Sequence, residues 1–291
     1  MIPQPREESG VPPGDLGGVS PSEGIDGSGT PRARCVLAPN PSPMTLDGTN
    51  TWVVAEPGSD TAVVIDPGPA DEDHLRRVAR HVADGGRRVG LILLTHGHRD
   101  HSGGARRFAE LTSAAVRALD PAHQLGEEGL RDGDVITAGG CELRVVASPG
   151  HSADSLCFLL PADGGLLTGD TVLGRGTAVI ARDGDLGDYL RSLHALRSLV
   201  DSAQVRVLVP GHGPLLGDPA ATLDYYTAHR AERLAEVEAA LEAGDRTVDE
   251  IVGRVYAQVD PAVRPFAAMS VRAQLVYLAR RGALPPGVRI P

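Results

Sequence analysis

Apolar positions along this chain alternate between short continuous runs and helical stripes. Residues 51–54 and 62–65 are strand-like, and Asp66-Pro67-Gly68 closes the second run in a turn. Over residues 71–84, Leu75, Val78, Ala79 and Val82 recur at helical spacing behind acidic N-terminal residues. Residues 89–95 are an unbroken apolar run, the pattern of a strand covered on both faces. The pattern next predicts a helix near 103–111 and strands near 114–117, 134–137, 141–147, 155–160 and 165–168. An amphipathic helix over 188–200 and a buried strand over 205–209 follow. From Asp218 onward the reading is almost wholly helical, with segments over 218–243, 247–258 and 265–281.

These elements describe an α/β domain over residues 31–217 and a small helical domain over 218–291. Residues 1–30 are crowded with Gly, Pro, Ser and acidic side chains and offer almost nothing to bury, so a disordered tail is expected there. The chain has 41% hydrophobic residues and a mean hydropathy of −0.10, which fits a globular protein. No apolar run approaches the ~18 residues of a membrane span, and the N-terminus lacks a basic segment followed by an apolar one. A cytoplasmic protein with no membrane partner is the expectation.

Composition removes several chemistries. All 28 basic residues are arginine, so Schiff-base lysines and P-loop lysines are excluded. Cys35, Cys141 and Cys157 are far apart and each lies in a strand-like stretch, so buried free thiols are expected rather than a disulfide framework. The net charge of −10 argues against broad electrostatic binding of nucleic acid. Residues 1–229 carry nineteen Arg against thirty acids, whereas 230–291 carry nine against eight. The acidity therefore belongs to the front of the molecule.

The stretch LTHGHRDHSGG follows the apolar run and places His96, His98, Asp100 and His101 within six positions. Carrying the extended period of two past the strand end puts His96, His98 and Asp100 on one side, with His101 beginning the next helix. Imidazole and carboxylate ligands suit zinc or a similar divalent ion. Four ligands so close in sequence cannot easily surround one ion, and they are better built to give a pair to each of two. Three further candidates stand beside glycine at strand ends: His151 in SPGHS, Asp170 in LTGDT and His212 in VPGHG. His74, His81, His123, His194 and His229 lack this context and read as ordinary helix or loop residues.

HxHxDH followed by PGHS, GDT and PGHG resembles the metallo-β-lactamase-fold hydrolases, over about residues 32–217. The resemblance implies an αββα sandwich with two Zn2+ (or another divalent metal) at one edge of its sheets. His96, His98 and His151 would hold the first ion, Asp100, His101 and His212 the second, and Asp170 would bridge them. A two-metal centre of this kind lowers the pKa of water, and the resulting metal-bound hydroxide attacks a carbonyl carbon or phosphorus. Asp100 is also the candidate catalytic residue that orients the nucleophile.

Two further stretches narrow the resemblance. NPSPMTLDGTNT at 40–51 and GDTVLGRG at 169–176 are similar to segments of the β-lactamase-like protein 2 family. TVDEIVGRVYAQ at 247–258 and RPFAAMSVRAQLVYLARR at 264–281 are similar to that family's winged-helix-like C-terminal module. Animal members act as endoribonucleases on single-stranded RNA, and fungal relatives release polyketides from carrier proteins as thioesterases. Phosphodiester hydrolysis is therefore placed slightly ahead of hydrolysis of a small acyl-thioester, glyoxalase II-like or acyl-carrier/CoA-type. A vestigial site on a binding module is disfavoured by seven intact ligand positions. Antibiotic hydrolysis is disfavoured because aspartate, not cysteine, stands at 170. Arg264, Arg272, Arg280 and Arg281 form the one basic stretch, read as solvated arginines on an amphipathic helix ahead of a phosphate-tracking surface. Asn50, Arg175 and Tyr225 are the candidate substrate contacts, and self-association into a homodimer is left open.

Overall fold

The computed structural model describes residues 24–126 and 128–290. Strands β1 (Ala33–Leu37), β2 (Asn50–Val54), β3 (Thr61–Ile65), β4 (Arg88–Leu93) and β5 (Ala115–Arg117) form one sheet in that order. Its first three strands are antiparallel, and β3, β4 and β5 run parallel. Strands β6 (Val135–Ala138), β7 (Cys141–Ala147), β8 (Leu156–Leu160), β9 (Gly165–Gly169) and β10 (Val207–Pro210) form a second sheet in the order β10-β9-β8-β7-β6. There β9 and β10 are parallel and the other neighbours antiparallel.

The sheets meet face to face. Trp52, Val54, Val63, Ile65 and Leu93 of the first pack with Leu143, Val145, Leu156, Phe158, Leu167 and Val209 of the second. The outer face of the first sheet is covered by α1 (Glu72–Asp84) and α3 (Ala105–Thr112), which bury Leu75, Val78, Val82 and Phe108. The outer face of the second is covered by α4 (Leu186–Ser202) and the first half of α5 (Pro219–Glu242), through Tyr189, Leu193, Leu196, Leu223 and Tyr226. Helix, sheet, sheet and helix are thus stacked in four layers. Burial of both faces explains why β8 is continuously apolar and why β3 is apolar from Ala62 to Ile65, whereas β4 leaves Arg88 and Gly90 exposed at its start.

The tail expected over 1–30 divides in two. Residues 1–23 lie outside the described residues. From Gly24 to Thr30, however, the chain is built into the fold, which corrects the tail's boundary. Gly27 N donates to Cys35 O, and Thr30 Oγ1 donates to buried Asp163 at 2.5 Å. Composition missed this because the anchor is a short strand bridge and one hydroxyl, not apolar burial.

The helical region contains α6 (Val248–Val255) and α7 (Arg264–Arg280) besides α5. Thr247 caps α6 in a reciprocal box with Glu250. Val237, Ala240 and Leu241 of α5 join Ile251, Val271 and Leu275 in a separate core. The change of core therefore falls inside α5, beyond the change of element type at residue 218. Among the described residues, no helix is long and apolar enough to cross a membrane.

One helix histidine is structural. His74 on α1 is buried, and its Nε2 lies 3.0 Å from Thr51 Oγ1 on β2. Burial, with a contribution from Arg77, depresses its pKa to about 4. Its neutral form is the one the fold favours. Stability is then complete above the unfolded pKa near 6.5 and falls as pH drops toward 4, because the unfolded chain binds the proton first. The expected loss is roughly 2–3 kcal/mol over that window. Denaturant titrations at several pH values check this: His74→Gln should show a shallower decline than the native chain, and identical declines would refute the assignment.

Candidate metal centre

Five chain segments deliver acidic or imidazole side chains to one edge of the paired sheets. β4 ends at Leu93, and Thr95, His96 and His98 follow. Helix α2 (Arg99–Ser102) begins immediately, so Asp100 and His101 project from a helical turn. This corrects the extended spacing expected through Asp100: His98 is the last extended residue, in the N-cap position. His151 follows β7, Asp170 follows β9 and His212 follows β10.

The side chains gather into overlapping groups. His96, His98 and His151 form one, Asp100, His101 and His212 a second, and His96, His101 and Asp170 a third. Within each, the candidate donor atoms lie within 4.8 Å of one another. All seven sequence candidates are therefore brought together, with Asp170 reaching toward both triads: its carboxylate is 3.3 Å from His101 Nε2, 3.4 Å from His212 Nε2 and 3.7 Å from His151 Nε2.

The hydrogen bonds around the rings assign their tautomers. His101 Nδ1 donates to Asp66 Oδ2 at 2.8 Å, and His212 Nδ1 donates to Gly48 O at 3.0 Å. His151 Nδ1 donates to Val179 O at 2.6 Å. Thr95 Oγ1 donates to Asp66 Oδ2, which leaves it to accept from His96 Nδ1 at 2.9 Å. His98 differs, with Nε2 turned to Asp183 at 3.5 Å and Nδ1 turned inward. Each imidazole thus has an acceptor or carboxylate on its outer nitrogen and a lone pair on its inner one.

Those lone pairs face each other. His101 Nε2 and His212 Nε2 are 3.1 Å apart, and His98 Nδ1 is 3.0 Å from both His96 Nε2 and His151 Nε2. Asp100 Oδ2 lies 3.2 Å from His212 Nε2, and Asp170 Oδ1 is buried with no hydrogen-bond partner. Acceptors converging this way repel unless a cation sits among them. Donors bound ~2.0–2.1 Å from a tetrahedral zinc stand about 3.3 Å apart, which is close to these separations. The donor set fits a pair of divalent cations.

The electrostatics point the same way, since without a metal ion protons on the inner nitrogens of His101 and His212 take the place of the cation. Burial alone would lower the His101 pKa, but Asp170, Asp100 and Asp66 outweigh it and hold the ring well above its usual value. The same contest, with Asp170 and Asp100 prevailing, places His212 at about 9. Burial would raise Asp100 and Asp170, yet the neighbouring histidines hold both carboxyls well below the usual carboxylate range. Burial and the His101 charge push His96 well below its usual value. The carboxylates have made this pocket favour positive charge.

Sequence reasoning did not identify the residues that aim the ligands. Asp66 is buried with φ +53°, and it accepts from Thr95 N and Thr95 Oγ1 as well as from His101. Its signal was present: an acid directly after a buried strand, at the level of the other ligands. Tyr189 OH donates to Thr171 O, Tyr226 OH accepts from Leu173 N, and Arg230 reaches Ala178 O. These helix residues fasten the loop that carries Asp170 and touches His151. Gly211 is required by closeness, since a Cβ there would stand 2.7 Å from Asp170 Oδ1 and 2.8 Å from His101 Cε1.

The three expected substrate contacts fare differently. Asn50 is fully buried, and its amide donates to Pro210 O and Gly213 O. It shapes the turn that bears His212 and has no donor left for a substrate, which corrects that expectation. Arg175 is exposed and pairs with Asp47 across the loop preceding β2. Tyr225 stacks on His229 at 6.0 Å, on α5 rather than among the ligands.

The model of the metallo-beta-lactamase superfamily matches residues 44–212, and that of the beta-lactamase associated winged helix domain matches residues 247–283. An atrochrysone carboxyl ACP thioesterase from Aspergillus chevalieri is 32% identical over 79% of this chain and 75% of its own length. A beta-lactamase-like protein 2 homolog from Caenorhabditis elegans is 29% identical over 86% of this chain and 84% of its own. A beta-lactamase domain protein from Burkholderia ambifaria shares the fold, with a TM-score of 0.76 at 22% identity over 92% of this chain and 93% of that one.

Proposed function

This chain belongs to the metallo-beta-lactamase superfamily, with a C-terminal winged-helix domain, and from that premise we propose that it hydrolyses acyl thioesters with two zinc ions. The observation that carries the reading is the charge at the exposed side of the ligand cluster. Asp183 lies 3.5 Å from His98 Nε2, and Asp154 stands beside Gly97. These two acids stand next to His98 and Gly97, with Arg99 and Arg106 further out around Gly97, so the approach to His98 itself opposes a polyanionic strand and is indifferent to a neutral thioester. Two of the four arginines in the basic stretch at 264–281 are already engaged, which weakens it as a phosphate track. Arg280 pairs with Asp185, and Arg281 lies over the Tyr277 ring and donates to its hydroxyl.

Two divalent cations held by these residues would polarise the scissile carbonyl and lower the pKa of water at the site. Asp100 is the more exposed carboxylate of the cluster, 30% against 10% for Asp170. It is placed to accept a hydrogen bond from the attacking water and fix its direction. His101 and His212 are held from behind by Asp66 and Gly48, so the cluster keeps its shape as charge develops. A thiol has a pKa near 8.5, so a thiolate departs without a proton donor, and the carboxyls here are held ionised. The thioesterase named among the relatives supports the same substrate class.

Phosphodiester hydrolysis is the second reading, favoured by the donor set alone, because a two-cation centre also binds a scissile phosphate. Zinc-loaded protein incubated in parallel with an acyl-N-acetylcysteamine thioester and with single-stranded RNA separates the two. Thioester turnover that chelation abolishes is the expected result. RNA cleavage lost in Asp100→Ala, with the thioester untouched, would reverse the order.

A further inference from the structure

A cavity of about 260 Å3 lies behind the ligand cluster between the loop at 177–179, α5 and the segment joining α6 to α7. Val179 lines it, and the carbonyl of Val179 accepts from His151 Nδ1, so one residue separates this cavity from the proposed metal centre. Its polar wall is basic. Arg230 is 7% exposed, lies 4.9 Å over the Tyr189 ring and donates to Ala178 O. Among the described residues it is in no ion pair, and its Nε has no hydrogen-bond partner. Arg233 is adjacent and paired with Glu236 at 2.9 Å.

His229, stacked on Tyr225, completes that wall with its Nδ1 buried and unpartnered. Burial first, and then the Arg230 and Arg233 charges, depress its pKa to about 4. Arg233 has its carboxylate partner in Glu236, whereas among the described residues no carboxylate pairs with Arg230. The opposite wall is apolar, built from Val259, Val263 and Phe266. A buried guanidinium without a counter-charge is costly, and a carbonyl and a ring face offset only part of that cost.

We propose that this cavity binds an organic anion, with its oxyanion head, carboxylate or phosphate, on Arg230 and His229 and its apolar body on Val259, Val263 and Phe266. The head relieves the uncompensated charge, and the chain covers the apolar wall. An occupant there touches the same loop that orients His151. The inference does not depend on the thioester reading, since it concerns equilibrium binding.

Full-length protein with labelled histidine, titrated with octanoate, octyl phosphate and neutral octanamide, tests it. Octanoate or octyl phosphate should shift the His229 resonances saturably and raise its pKa toward the ordinary imidazole value, while octanamide should not. Comparing the two anions tells which head the site prefers. Arg230→Gln should weaken binding at least about tenfold. Because Arg230 also holds Ala178, Val259→Glu serves as the second variant. It puts an anion on the apolar wall and should weaken binding similarly. No saturable shift up to about 10 mM of either anion, equal binding of octanamide, or unchanged affinity in Val259→Glu would overturn the proposal.

Discussion

Asp100→Ala is expected to lower kcat/KM for metal-dependent hydrolysis by roughly 10³-fold while leaving the fold in place. The carboxylate is partly exposed in the first turn of α2, so its removal leaves no cavity, and alanine is favourable in a helix. What disappears is one of three groups in the second triad and, on the proposed mechanism, the acceptor that orients the nucleophile. Metal content should fall toward one ion per chain, and thermal unfolding of the metal-free protein should change little. A variant that retains native turnover with reduced metal would show that Asp100 has neither role.

Gly150→Ala is expected to cost more than about 3 kcal/mol and to disable the site with the fold. Gly150 adopts φ +140°, and a Cβ there would stand 2.3–2.4 Å from the backbone and Cβ of Tyr189 at the start of α4. Backbone atoms cannot yield as a flexible side chain would. Gly150 O also accepts from Asp185 N, so displacement would disturb the helix start as well as His151. Gly244→Ala is the matched control. It too has positive φ, at +106°, but meets nothing within 4 Å and should cost only about 1 kcal/mol. Denaturant midpoints compare them, and equal midpoints would refute the crowding argument.

What the sequence disclosed depended on how local the signal was. HxHxDH and the three glycine-flanked ligands were readable because each sits at the end of an apolar run, and strand ends on one edge converge in space. The extended period failed at Arg99, where a four-residue helix lifts Asp100 and His101 toward His212. Asp66 escaped because Asp-Pro-Gly reads equally well as turn chemistry, and only its contact with His101, thirty-five residues away, reveals its task. Asn50 looked functional from its motif, yet it serves two carbonyls 160 residues away or more. The division at residue 218 followed a change of element type, whereas packing changes partway along α5.

The strands of each sheet are consecutive in the chain, β1 to β5 in one and β6 to β10 in the other. Each half can therefore pair its strands without waiting for the other, and the two join only when their faces dock. Every ligand group draws on both halves, His96 and His98 with His151, Asp100 and His101 with His212, and His96 and His101 with Asp170. A metal bound there acts as a clasp across the seam, and its binding free energy adds to the docking of the halves. Two fragments cut within the connection between β5 and β6 should accordingly reassociate more tightly with metal than with chelator. Equal association in both would show that the seam closes on its apolar core alone.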